Sequence, residues 1–249
     1  MRIRWWLMLA LALWARAFPA TGQIAPANPV RTLLATGHLA SVDQVPLYFR
    51  LYRVRLPAGR HSSYGGSNAM LYGLSGALAI DIGGIGQSLA ASAGAFIPAG
   101  KATSISATGS EPANFLVFLL SPAPNQRRPL FDRPAVVGEL YRTPEALPGM
   151  KPGPYEFGFI RVAFPPGMPA NPAHFRSGAA LYYVIAGAGA VTADTKTEPR
   201  VAGAAQFEPA GWVHQWANPG DAPLVLLQAY ISQEGVAAVL PASAQTAPK

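Results

Sequence analysis

The chain repeats itself, and that restricts its possible folds more than any other feature. Residues 53–59 (RVRLPAG) match residues 161–167 (RVAFPPG) at an offset of 108. Further on the offset is 111: Gly76 pairs with Gly187, Pro98 with Pro209, Gly100 with Gly211, Gly109 with Gly220 and Ser121 with Ser232. A fixed period of this length means one structural unit built twice. The extra three residues fall between Gly167 and Gly187. Each copy, 51–122 and 159–233, is a series of apolar runs of four to eight residues bounded by Gly, Pro, Asn or Asp, and no run sustains a 3.6-residue period. These are strands, joined by tight turns at Gly83-Gly84 and at residues 218–221. Many short, evenly spaced strands predict an all-β chain of two sandwiches or closed barrels.

Composition narrows the function. Only 12% of residues are charged while half are hydrophobic, which excludes a disordered polyelectrolyte. The net charge of +7 comes with no basic cluster beyond Arg127-Arg128, too little for a nucleic-acid track. The absence of cysteine rules out disulfides, thiol catalysis and Cys-ligated metals. Two arginines in residues 1–4, an apolar run at 5–15 and small residues at 15–17 and 20–22 follow the order of a secretory signal peptide. The run is shorter than the ~20 residues of a membrane span. Loss of Arg2, Arg4 and Arg16 with this segment brings the formal charge from +7 to +4. The expected organisation is a signal peptide (1–22), an N-terminal barrel (23–121) with one or two opening strands from 25–48, a linker (122–158), a C-terminal barrel (159–233) and a flexible Ala/Ser/Pro tail (234–249). The linker expectation rests on eight prolines at 121–158. Such a protein is expected in the periplasm or outside the cell, free of membrane after cleavage.

The second copy carries Gly203, Pro209, Gly211, His214 and Asn218 with intervening spacings of five, one, two and three residues. This string resembles the second conserved motif of the cupin superfamily. Pro209 and Gly211 suit a turn between strands, His214 then opens the next strand, and Asn218 starts a turn through its side-chain carbonyl. The first cupin motif is present as a frame with one extra residue: Gly167, His174, Phe175, Arg176, Ala180, Gly187. His174 keeps a ligand position, Arg176 stands at that of the second His, and Ala180 at that of the Glu. In the first copy the same positions read Ser63, Gly65, Ala69 and Thr103 by the 111 offset. The chain thus resembles a secreted bicupin, which implies two jelly-roll barrels of six to eight strands in tandem.

The resemblance implies a metal site of three His and one Glu, or two His and one carboxylate, holding Mn, Fe, Ni or Zn. Here two imidazoles remain beside a guanidinium that cannot lose its charge. Tight metal binding is therefore disfavoured, and no cofactor is expected. Three arrangements stay open. One is a rescued metal site of His174, His214 and Glu208, just ahead of the Pro209 turn. Another has both His as satisfied interior residues. A third is a site for a small anion, with Arg176, His174 and His214 joined by Tyr182 and Gln228, which share the inward parity of their strands. The readings without metal chemistry rest on the expectation that no acidic partner lies close enough to neutralise an ion. Trp212 and Trp216 flank His214 and are core residues or stacking platforms. His38 has no partner in view, His61 is expected in a loop, Tyr155 and Glu156 of the linker are placed to cap the second barrel, and the glycines at 83–86 form a hairpin turn, not a phosphate loop. The function expected first is binding of a small, anionic ligand without redox chemistry. The alternatives are a metal-dependent enzyme of dioxygenase or isomerase type and a structural, homo-oligomerising protein.

Overall fold

The repeat is written in the backbone. In the computed structural model, which describes residues 28–40, 46–122 and 129–245, two of the paired sets of glycines adopt matching left-handed conformations. Gly76 and Gly187 have φ of 73° and 77°, and Gly100 and Gly211 75° and 76°. A Cβ on Gly187 would lie 2.2 Å from the Pro223 carbonyl oxygen, and one on Gly76 2.8 Å from that of Pro112. Both the twist and the close approach demand glycine. The expected signal peptide lies outside the described residues.

The first copy supplies β2 (Tyr48–Leu56), β3 (His61–Tyr64), β4 (Asn68–Ser75), β5 (Leu78–Ile82), β6 (Ile85–Leu89), β7 (Gly94–Ile97), β8 (Thr103–Ala107) and β9 (Ala113–Ser121), after β1 (Val30–Leu39). After β10 (Val136–Arg142), the second copy supplies β11 (Tyr155–Phe164), β12 (His174–Arg176), β13 (Ala179–Ala186), β14 (Ala188–Ala193), β15 (Lys196–Val201), β16 (Ala205–Glu208), β17 (His214–Ala217) and β18 (Leu224–Gln233). β19 (Val239–Pro241) and one turn of 3-10 helix (Ala242–Gln245) follow. Each lobe is two sheets. The orders are β10-β2-β9-β4-β7 with β3-β8-β5-β6, and β1-β11-β18-β13-β16 with β15-β14-β17-β12-β19. Shifted by the repeat, the two lobes have the same order, apart from β19, which has no counterpart in the first.

Three expectations change. The strand expected from residues 25–48 to open the first copy does not do so: β1 pairs antiparallel with β11 of the second, while the linker strand β10 pairs with β2 of the first. The lobes thus exchange edge strands, each satisfying the open backbone groups of the other's edge. The C-terminal lobe begins at Tyr155, where β11 starts, so Tyr155 and Glu156 are strand residues rather than linker. The tail beyond residue 234 is not wholly loose: β19 adds to β12, Ala242 N donates to the Ala173 carbonyl and Gln245 Nε2 to that of Gly211.

The layering explains the apolar runs. In β9, Phe115, Val117 and Leu119 face the first lobe's interior, whereas Leu116, Phe118 and Leu120 join a core between the lobes. In β11, Phe157 and Phe159 enter that shared core while Val162 and Phe164 line the second lobe's interior. A strand covered on both faces reads as a continuous hydrophobic run, not an alternation. Each fully buried Phe or Leu contributes about 1.5–3 kcal/mol, and the interlobe layer holds the two halves face to face.

Candidate functional site

The site lies inside the C-terminal lobe, where strand alternation aims His174, Arg176, Tyr182, Glu208, His214, Trp216 and Gln228 inward. His174 and His214 are direct partners across β12 and β17, with ring centroids 4.5 Å apart. His174 Nδ1 lies 2.9 Å from the Pro172 carbonyl oxygen and His214 Nδ1 2.9 Å from that of Trp212. A carbonyl only accepts, so both Nδ1 atoms carry the proton. The Trp212 indole stacks on the His214 ring at 4.8 Å.

Glu208 overturns the expectation that no carboxylate would stand near. It is fully buried, its Oε2 accepts from Arg176 Nε at 3.2 Å, and its Oε1 accepts from Trp216 Nε1 at 2.9 Å. Oε1 also sits 2.8 Å from His214 Nε2, but the ring is turned so that Nε2 makes no aligned hydrogen bond and is otherwise without a partner among the described residues. Glu208 pairs across the sheet with Ala180. A carboxylate from β16 therefore enters beside the position where the motif frame has lost its Glu. Nor does Glu208 reach the barrel mouth, as its place before Pro209 suggests; it is interior.

Arg176 is likewise interior. Its guanidinium donates to Glu208 and to the Tyr182 hydroxyl and lies 5.5 Å from the Tyr182 ring centroid. Trp216 stacks on the other partner of this network, the Tyr182 ring, at 5.5 Å. The electrostatics follow. Burial pushes the Glu208 carboxyl up, but His214, Arg176 and the Trp216 N–H together hold it below the ordinary value. Burial also opposes the charge on Arg176, and Tyr182 and Glu208 more than offset it. Burial, with small contributions from His214 and Arg176, holds His174 below its usual 6.5.

The expected ligand set is therefore divided. Arg176, Tyr182, His214 and Gln228 are between 1% and 4% exposed. His174 borders a cleft of about 300 Å³ that Arg31, Asn171, Val239 and Pro241 also line. Arg176 is thus spent on internal partners and is not an anion receptor. Nothing in the motifs singles out Arg31 or Asn171. Asn171 belongs to the loop lengthened in the second copy, and its Oδ1 accepts from the Trp216 amide at 2.8 Å. Tyr64 pairs with Thr103 as His174 pairs with His214, so the first copy's counterpart of His174 is Tyr64 rather than Ser63. His38, without an evident partner in the sequence, contacts the Glu234 carboxylate on the surface. His61, expected in a loop, is instead the exposed first residue of β3.

Whether a metal fits can be judged from the donors. Among the described residues no three His, Cys, Asp or Glu side chains are placed to hold one. Both Glu208 oxygens are engaged, and a divalent ion would need Arg176, a fixed cation, to withdraw. The residues as arranged do not fit a metal centre.

Residues 160–230 match the cupin domain family. No curated protein matches the chain in sequence. Among solved structures, Bacillus subtilis oxalate decarboxylase, in a study of its Mn(II) centres, has a TM-score of 0.54 at 15% identity, covering 85% of this chain and 78% of its own. The same enzyme at pH 4.6 gives 0.56 at 16% identity, with 90% and 80% covered. The Lactobacillus farciminis oxalate decarboxylase–formate complex gives 0.56 at 12% identity, with 88% and 90% covered. At these identities the likeness is one of fold. The chain has the all-β, cupin-like jelly-roll fold of the oxalate decarboxylases, and its segment 160–230 carries the cupin domain match.

Proposed function

We propose that this chain is a secreted, tandem-barrel cupin protein that binds a small anion in its C-terminal lobe without redox chemistry. The observation that carries this is the buried Arg176–Glu208 pair, which fills the space beside two imidazoles with a cation and an anion that satisfy each other. The interior is thereby neutral and closed, and ligand recognition moves outward to the cleft bordered by His174. There Arg31 supplies a fixed positive charge. His174, with its Nδ1 proton given to Pro172, presents Nε2 as an acceptor, and as a second cation once protonated. Export is supported by the N-terminal segment. A homo-oligomer is supported by apolar side chains exposed on the edge strands, Val30 and Leu33 on β1 and Val136 and Leu140 on β10.

The test is elemental analysis of protein purified after expression with Mn, Fe, Ni and Zn supplied, together with a calorimetric titration with acetate. Metal far below one ion per chain, and acetate binding weakened about tenfold by Arg31→Ala, are expected. One transition-metal ion per chain, lost in His214→Ala, overturns the proposal.

A second reading, a metal-dependent enzyme of decarboxylase, dioxygenase or isomerase type, has one specific observation in its favour. Both imidazoles give Nδ1–H to a backbone carbonyl, the orientation that frees Nε2 for a metal, and the fold is shared with proteins studied for their Mn(II) centres. It requires Arg176 to release Glu208.

A further inference from the structure

The N-terminal lobe, which lacks the ligand residues altogether, has a cleft of about 560 Å³ of its own. Ligand pockets for small molecules usually run from about 300 to 1,000 Å³. Its walls are mostly apolar, from Leu130, Phe131, Ala135 and Val137, and its charged lining includes Arg50. The wall is fixed in place. Asp132 N donates to the Ser63 carbonyl and Ser62 Oγ to the Asp132 carbonyl, while Phe131 packs on Tyr64 and Phe115 with ring centroids 5.2 and 5.6 Å apart.

Arg50 is the unusual element. Its side chain is 7% exposed, and Nε and Nη2 both donate to Glu139 Oε2, at 3.1 and 2.5 Å. Its Nη1 is buried and has no partner among the described residues. A guanidinium has only donors, and a buried N–H left without an acceptor is costly. The local charge does not balance either. Glu139 serves two cations, since its other oxygen accepts from Arg142 Nε and Nη2 at 3.0 and 2.9 Å. Arg133 on the cleft wall brings a third guanidinium against the single further carboxylate of Asp132. The Tyr52 ring lies under the Arg50 guanidinium, 5.2 Å from centroid to Cζ, and completes a face that is aromatic on one side and cationic on the other.

We propose that this cleft is a second binding site, for a small organic carboxylate with an aromatic or branched aliphatic body. The carboxylate approaches Arg50 and supplies the missing acceptor, and the body lies on Leu130, Phe131, Ala135 and Val137. The site is independent of the C-terminal one: it uses no residue of that lobe, and neither reading depends on the other.

The experiment is a titration of the full chain, uniformly ¹⁵N-labelled, with benzoate, followed at the amide resonances of Tyr52, Phe131, Ala135 and Val137. Saturating shifts with one dissociation constant are expected. Benzamide, which keeps the ring and loses the charge, binds at least about tenfold more weakly, as does inorganic phosphate, which keeps the charge and loses the ring. Arg50→Gln weakens benzoate by at least about tenfold. Because that change also disturbs the Glu139 pair, Ala135→Trp serves as the second variant: it fills the cleft, leaves every ion pair in place and abolishes the shifts. No shift at these amides up to about 20 mM benzoate, equal binding of benzamide or of phosphate, or undiminished binding by Ala135→Trp overturns the proposal.

Discussion

Replacing Glu208 by Gln tests the buried pair with little change of shape. The amide can still accept from Trp216 Nε1, but Arg176, 5% exposed at its side chain, loses its counter-charge. At the 3.2 Å separation of Nε and Oε2 the attraction is about 5 kcal/mol at an effective dielectric near 20. Breaking one side of a buried pair costs about 3–5 kcal/mol, since the remaining charge stays out of water. For a chain of this size that is a fall in melting temperature of about 6–20 °C. Urea denaturation reads it as a lower midpoint at unchanged slope. The double change Arg176→Met with Glu208→Leu removes both charges and fills the space, and it is expected to lie within about 2 kcal/mol of the parent or above it. A loss below about 1 kcal/mol in Glu208→Gln, or a double variant no better than the single one, would refute the argument that the pair is internally compensated.

Acid should weaken the fold in two stages. His174 has a folded value below 6.5, so the unfolded chain takes up its proton first, and stability falls as pH drops from about 6.5 through the folded value. Glu208 is also held below its ordinary value, so its contribution is present above about 4.5 and is lost as pH falls further. Urea midpoints measured from pH 8 down to about 2.5 check both, and a midpoint that rises on acidification contradicts them. Above about pH 5.5, where acetate keeps its charge, acetate affinity at the C-terminal cleft should increase on acidification as His174 gains its proton, readable by calorimetry. Asn218→Ala should cost about 2–3 kcal/mol, because Nδ2 donates to the Phe164, Pro165 and Ala222 carbonyls from a fully buried position. Gly187→Ala should cost at least about 2 kcal/mol, given its φ of 77° and the Pro223 oxygen 2.2 Å from the new Cβ; differential scanning calorimetry of both variants decides.

The sequence alone determined that the chain is all-β and built twice. Gly76 and Gly187, Gly100 and Gly211 sit where backbone geometry admits little else, so the repeat survived as a pattern of glycines and prolines that a reader can align. It also determined which side chains face inward around His214, because strand parity is a two-residue rule. The tertiary structure alone decided the chemistry of that interior. The approach of Glu208 to Arg176 joins β16 to β12, strands of two different sheets, and is set by how those sheets face each other. The exchange of β1 and β10 between lobes is equally invisible in a linear pattern, since either strand's alternation suits either edge. Local conformation is fixed by each residue and its neighbours, whereas a charge is neutral or hungry according to what packing brings within a few ångströms of it.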